Sequence, residues 1–184
     1  MKEIINPKEV IEKRIAEIMG FPKYAKIIKE LHNVKVNEDR SWQKNFNAFY
    51  RVRRNKDWQK IYYDIFEREK NNKPSFENIL KEIYDKTENI EASFVSKMIS
   101  TIDESLPIWD QYVLSNLGLK LEGKTKEEKL QNAICVYNKI KAWYDEFVFS
   151  EQGKNCIEEF DNVMPKYAWF SPIKKIDFFL WSIR

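Results

Sequence analysis

Apolar residues recur every three to four positions along most of this chain, and short polar breaks carrying Pro, Gly, Asn or Ser separate the periodic stretches. Asn6 and Pro7 read as the N-cap and first residue of a helix running to about Met19 and closed by Gly20, with Val10, Ile11, Ile15 and Ile18 on one face. Pro22 opens a second helix to about Leu31, with Tyr24, Ile27, Ile28 and Leu31 inward. After a connector over 33–38, a third helix is predicted over about 39–54. Trp42, Phe46, Phe49 and Tyr50 form its stripe, and Arg51, Arg53 and Arg54 crowd the end, where cations suit the helix dipole. A fourth spans about 57–70, with Trp58, Ile61, Tyr62, Ile65 and Phe66 apolar.

The breaker over 71–75 ends in Ser75, a candidate N-cap for a fifth helix over about 76–86. A tight connection at 87–90 leads to a sixth over about 91–102, burying Phe94, Val95, Met98, Ile99 and Ile102. Residues 104–107 break it, and a seventh helix opens near 108–110 and ends at Gly118. Beyond a loop, Thr125 and Glu128 make a capping box for a long eighth helix to about Phe149. Gly153 marks a break before a short helix over about 156–163, and the last helix covers about 172–182. No strand, repeat or low-complexity linker is predicted. The pattern implies an all-α single domain over 1–184, of about nine orthogonally packed helices.

Composition narrows this only slightly. Hydrophobic residues make up 43% and aromatic residues 15% of the chain, which excludes disorder. At 184 residues the core needs no disulfide or metal. The net charge of +3 permits a nucleic-acid partner without requiring one. Cys135 falls on the apolar side of a predicted helix. With no signal segment, Cys135 and Cys156 are expected as reduced thiols in the cytoplasm. No stretch approaches a membrane span. A single histidine, His32, excludes a His-rich zinc site, and two cysteines exclude a four-cysteine cluster, so neither metal nor cofactor is expected.

The stretch from Phe94 to Asp110 carries the candidate chemistry: an apolar helix with Ser96-Lys97, a break, then Pro107-Ile-Trp-Asp110 opening the next helix. A carboxylate at a helix start is held ionised by nearby N–H groups, and an apolar wall strengthens its field. The order of a helical hairpin, an apolar helix, a loop and this Pro-Ile-x-Asp element resembles the helix-hairpin-helix DNA glycosylase superfamily. The likeness is closer still to an 8-oxoguanine-glycosylase-like group with a Ser-Lys helix before Pro-Ile-x-Asp and a final Asp-then-Leu-Trp helix, as Asp177 to Leu180-Trp181 here. It covers roughly 46–120 and the last dozen residues, with a hairpin core at about 75–118.

The resemblance implies a DNA-binding protein acting on double-stranded DNA, with Asp110 in the place of the catalytic aspartate that supports positive charge on the deoxyribose as a base departs. The chain departs from the family in two places. Its hairpin turn, 87–91, has no glycine and two acids. No lysine stands near 91–93, where bifunctional members carry one; Lys97 lies a turn further on, where it could reach the same cleft, and its other reading is a snorkelling surface residue. Water attack without lyase chemistry is therefore the expected form of any base excision. Asn89, able to adopt a left-handed conformation, and Arg51, Arg53 and Arg54, interleaved with aromatics, are the candidate DNA contacts. Trp109 lines a base pocket or joins the core. Asp177, in an apolar helix, is expected to pair with a basic residue or cap a neighbouring helix. The alternatives are a catalytically inactive DNA-binding or protein-interaction domain on that scaffold, and an unrelated helical interaction protein.

Overall fold

A computed structural model describes residues 6–14 and 20–183, and these are all-helical. Ten α-helices and two single-turn 3-10 segments occur among the described residues, with no strand. Ile15 and Ile18, assigned by pattern to the first helix, lie outside them. The sequence pattern draws one domain over 1–184; the chain clusters into two compact units, Met19–Asp103 and Met1–Ile18 with Glu104–Arg184. The first is an insertion in the sequence of the second. None of the described helices is long and apolar enough to cross a membrane.

The inserted unit holds α2 (Phe21–Glu30), a 3-10 turn (Leu31–Asn33), α3 (Arg40–Tyr50), α4 (Lys56–Glu69), α5 (Phe76–Thr87) and α6 (Ala92–Ile102). Side-chain caps start three of them: Asp39 accepts from Trp42 N–H at 2.8 Å, Asn55 from Trp58 N–H at 2.9 Å and Ser75 from Asn78 N–H at 3.3 Å. The core is aromatic. Trp42, only 1% exposed, stacks on Phe46 with centroids 5.2 Å apart and meets Phe66 edge-on at 5.4 Å. Buried polar tips find partners: Trp42 Nε1 donates to the Ile27 carbonyl at 3.1 Å, Tyr62 Oη to the Phe94 carbonyl at 2.9 Å and Tyr63 Oη to Asn47 Oδ1 at 2.6 Å.

Helix α3 is shorter than its periodicity predicts. It ends at Tyr50 because Arg51 turns left-handed, at φ 56°, and the Val52 N–H reaches back to the Asn47 carbonyl at 3.0 Å. This is the Schellman closure, completed by burial of Val52. Arg53 and Arg54 therefore sit in a connecting turn, outside the helix. The α5–α6 turn departs from expectation too. Glu88, not Asn89, takes the left-handed conformation, at φ 55°. Asn89 folds its carboxamide back onto the Thr87 carbonyl at 2.7 Å.

The discontinuous unit holds α1 (Pro7–Lys13), α7 (Gln111–Leu117), α8 (Lys126–Phe147), α9 (Glu151–Val163), a 3-10 turn (Pro165–Tyr167) and α10 (Pro172–Ser182). Helix α10 is buried on nearly every side, packing on α9, α7 and α1. Its buried Lys175 pairs with Asp161 of α9 at 2.6 Å. Gly153 does not break the chain; it lies inside α9, which starts at Glu151. A Cβ there would stand 1.9 Å from the Phe147 carbonyl oxygen, so only glycine allows this tight approach behind the Ser150 cap. Cys135 is exposed rather than apolar-facing, whereas Cys156 is buried, and burial pushes its thiol up to about 12.

Truncating Phe46 to Ala is expected to cost about 3–5 kcal/mol in urea unfolding, as for other fully buried aromatics. A second outcome concerns Glu82 of α5, which accepts from Arg68 Nη1 and Nη2, at 3.0 and 2.5 Å. That hydrogen bonding lowers the Glu82 carboxyl from 4.5 to about 2. The stability it adds is fully present above pH 4.5 and is lost as the pH falls to about 2. The gap in urea midpoint between wild type and Glu82→Gln should close over that window.

Candidate functional site

In the discontinuous unit the Pro107–Asp110 element is held from three sides. Tyr137 Oη donates to the Pro107 carbonyl at 3.1 Å, and the Ile108 N–H donates to the Asp177 carboxylate. Asp110 is the N-cap of α7, its Oδ1 accepting from Tyr112 N–H at 2.8 Å. Trp109 is 6% exposed and belongs to the core, whereas Asp110 is half-buried.

Asp177, 8% exposed, anchors this corner. It accepts from Tyr144 Oη and from Lys174 Nζ, the latter at 3.0 Å, so the expected basic partner is present. Burial raises its carboxyl, against the lowering pull of Lys174 and the hydrogen-bond donors. Burial, then the nearby Asp177 and Asp110 charges, push the Tyr144 phenol well above its ordinary range. Tyr144 is therefore a fixed hydrogen-bond donor and no general base.

The other sequence-derived candidates lie in the inserted unit. Arg54 is committed to structure: its Nη2 stands 2.7 Å from Oε1 of Glu91, which is 5% exposed at the start of α6. The guanidinium also covers the Trp58 and Phe94 rings, at 5.9 and 5.5 Å. Lys97 shares the Phe94 ring, at 5.1 Å, and donates to the Tyr50 carbonyl at 3.4 Å. A cation suits that position, the C-terminal end of α3. The fold thus brings Arg54 and Lys97 together over one phenyl ring. Asp110 belongs to the other unit. The expected hairpin core at 75–118 is crossed by the unit boundary at 103–104.

Arg51 and Arg53 are exposed, and so are Arg40, Lys44, Lys56 and Lys60 on α3 and α4. These four helix cations were missed by motif reasoning, although their i, i+4 spacing was a readable signal. From Arg40 to Lys60 the chain carries seven cations against one carboxylate, a net +6. The whole chain carries +3, leaving a net −3 for all other residues. The positive charge is therefore concentrated on one helix–turn–helix stretch, every cation of which is exposed.

Asparagine caps as well as aspartate, so Asp110→Asn should unfold within a few tenths of a kcal/mol of wild type, while Asp110→Ala should lose about 1 kcal/mol. Thermal or urea unfolding of the two variants checks this, and it makes Asp110→Asn a clean probe of charge. Removing Arg54 leaves the buried Glu91 charge uncompensated, so Arg54→Ala should destabilise by on the order of 2–3 kcal/mol. Arg51→Ala and Arg53→Ala should leave the unfolding midpoint nearly unchanged. In comparisons with family models, curated proteins and solved structures, none matches this chain.

Proposed function

We propose that the protein binds nucleic acid, with duplex DNA as the reference partner, through the cationic surface of α3, α4 and the turn between them. The observation that carries this reading is the net +6 between Arg40 and Lys60 in a chain of net +3. Glu91 and Asp64, outside the stretch, pair with Arg54 and Lys60, which leaves the other five cations against the single Asp57, a net +4. Phosphate groups release condensed counterions when cations replace them, which supplies most of non-specific affinity. Arg51 and Arg53 are the leading backbone contacts because they are exposed and dispensable for packing. Arg54 is not among them, since Glu91 and two aromatic rings already hold it. Asn89 is exposed but its carboxamide is turned onto Thr87, which favours a turn-stabilising role.

A second reading is base excision by a monofunctional glycosylase chemistry at Asp110. It is favoured by the anchoring of the Pro107–Asp110 backbone through Tyr137 and Asp177, which fixes the carboxylate in position. Asp110 would then support the positive charge that develops on the sugar as the base leaves. Lys97 supports this reading poorly as a nucleophile, being drawn to the Tyr50 carbonyl and the Phe94 face.

Fluorescence anisotropy with a labelled duplex tests the first reading. Binding should weaken steeply with salt, and the double variant Arg51→Ala/Arg53→Ala should flatten the log–log salt slope by about 1.8. Salt-independent binding, or none at low salt, would count against it. Duplexes carrying a panel of damaged bases test the second: release by wild type should fall at least about 100-fold in Asp110→Asn. Absence of release from every lesion sinks base excision and leaves DNA binding standing.

A further inference from the structure

The inserted unit contains a groove of about 740 Å³ between α3 and α4. That volume belongs to the size class of clefts that enclose small ligands, roughly 300–1,000 Å³. Its walls are cationic on both sides. Arg40 and Lys44 stand one turn apart on α3, and Lys56 and Lys60 one turn apart on α4. Like charges at this spacing repel one another, so each pair favours an anion between or above them. Two carboxylates, Asp57 and Asp64, also line the groove. Asp64 is matched by Lys60 at 2.7 Å and accepts from Asn37 Nδ2 at 3.1 Å. Asp57 is left against Arg40, Lys44 and Lys56, a net +2.

The floor is polar and fixed. Asn47 Nδ2 donates to Gln59 Oε1 at 3.1 Å, and Gln59 Nε2 donates to the Arg54 carbonyl at 2.6 Å. Gln43 Nε2 donates to the Val36 carbonyl at 2.7 Å, while its Oε1 accepts from Arg40 at 2.9 Å. Each of these carboxamides has two N–H donors and uses one of them in these bonds. Cations on two facing walls above a floor of amide donors make a surface for tetrahedral oxyanions. Every residue that lines the groove is polar or charged, so its apolar surface is the carbon stems of those side chains. A duplex would meet only the rim of so small a groove, whereas an unpaired strand or a compact polyphosphate would enter it.

We propose that the α3–α4 groove is a phosphate-binding site, filled by the phosphodiesters of an unpaired nucleic-acid strand or by a free polyphosphate. The strand form rests on the nucleic-acid reading above; the polyphosphate form stands without it. Lys44 and Lys56 supply the charge, Arg40 adds a planar donor fixed by Gln43, and the spare amide N–H groups complete the oxygens' hydrogen bonds. Asp57 opposes the ligand and limits affinity.

The test uses the full chain with two probes, inorganic pyrophosphate by calorimetry and a short labelled single-stranded oligonucleotide by anisotropy, alongside the labelled duplex. Lys44→Ala/Lys56→Ala should weaken pyrophosphate and single-strand binding by about tenfold or more, and should flatten the single-strand salt slope by about 1.4. Asp57→Asn should tighten both. All three positions are exposed, so the variants are expected to fold. Binding of the oligonucleotide without pyrophosphate assigns the site to a strand, and binding of pyrophosphate without the oligonucleotide assigns it to a free polyphosphate and ends the strand form of the proposal. The groove proposal is overturned if pyrophosphate does not bind and single-strand affinity is unmoved by Lys44→Ala/Lys56→Ala. Retained duplex binding that responds to Arg51→Ala/Arg53→Ala would then keep the nucleic-acid reading alive. No binding of any of the three probes ends both.

Discussion

Burial of the aromatic stripes of α3 and α4 governs the inserted unit. Trp42, Phe46, Tyr62 and Phe66 are almost wholly removed from water, and rings of this size dominate the energetics of any core. Once those rings turn inward, the helix period leaves the cations at positions 40, 44, 56 and 60 only the opposite faces. The charged surface is thus a by-product of where the rings go. A change that loosens the ring cluster would disperse the charges without touching one of them.

The discontinuous unit solves a different problem. A carboxylate inside a core is costly unless donors surround it. Asp177 meets that condition with a phenol, an ammonium and a backbone N–H, and the last of these belongs to the element that presents Asp110. The two aspartates consequently divide their tasks. Asp177 is spent on architecture, and Asp110, half-buried with one oxygen on the Tyr112 N–H, is the carboxylate that retains access to water.

Much of the secondary structure was legible because the apolar period and the caps are local signals. Asn6, Ser75, the Thr125–Glu128 capping box and the terminal helix from Pro172 are read and found at the same places. The end of α3 was not legible: a left-handed Arg51 carries none of the signal that glycine gives, and what closes the helix is burial of Val52. Gly153 misled in the opposite direction, since its lack of a side chain serves a tight corner inside a helix instead of ending one. The candidate site divides the same way. Asp110 as a helix start follows from neighbouring residues. The commitment of Arg54 to Glu91 spans 37 positions, and the groove joins two helices; pairings at such separations leave no periodic trace. Charge counted over windows, instead of over the whole chain, would have exposed the Arg40–Lys60 concentration.

The arrangement of the two units has a consequence for the order in which the protein is made. Residues 19–103 are complete in the sequence before the second part of the other unit begins at Glu104. Domains tend to fold as units while the chain emerges from the ribosome. The inserted unit can therefore bury its rings early. Helix α1 packs on α9 and α10, which follow the whole inserted unit in the chain. It must wait for those two helices to be made before they can cover it. The Asp177 corner closes only after Lys174 and its helix have appeared. The cationic surface can thus form on the emerging chain before the segment presenting Asp110 takes its final form, which needs Asp177 from α10.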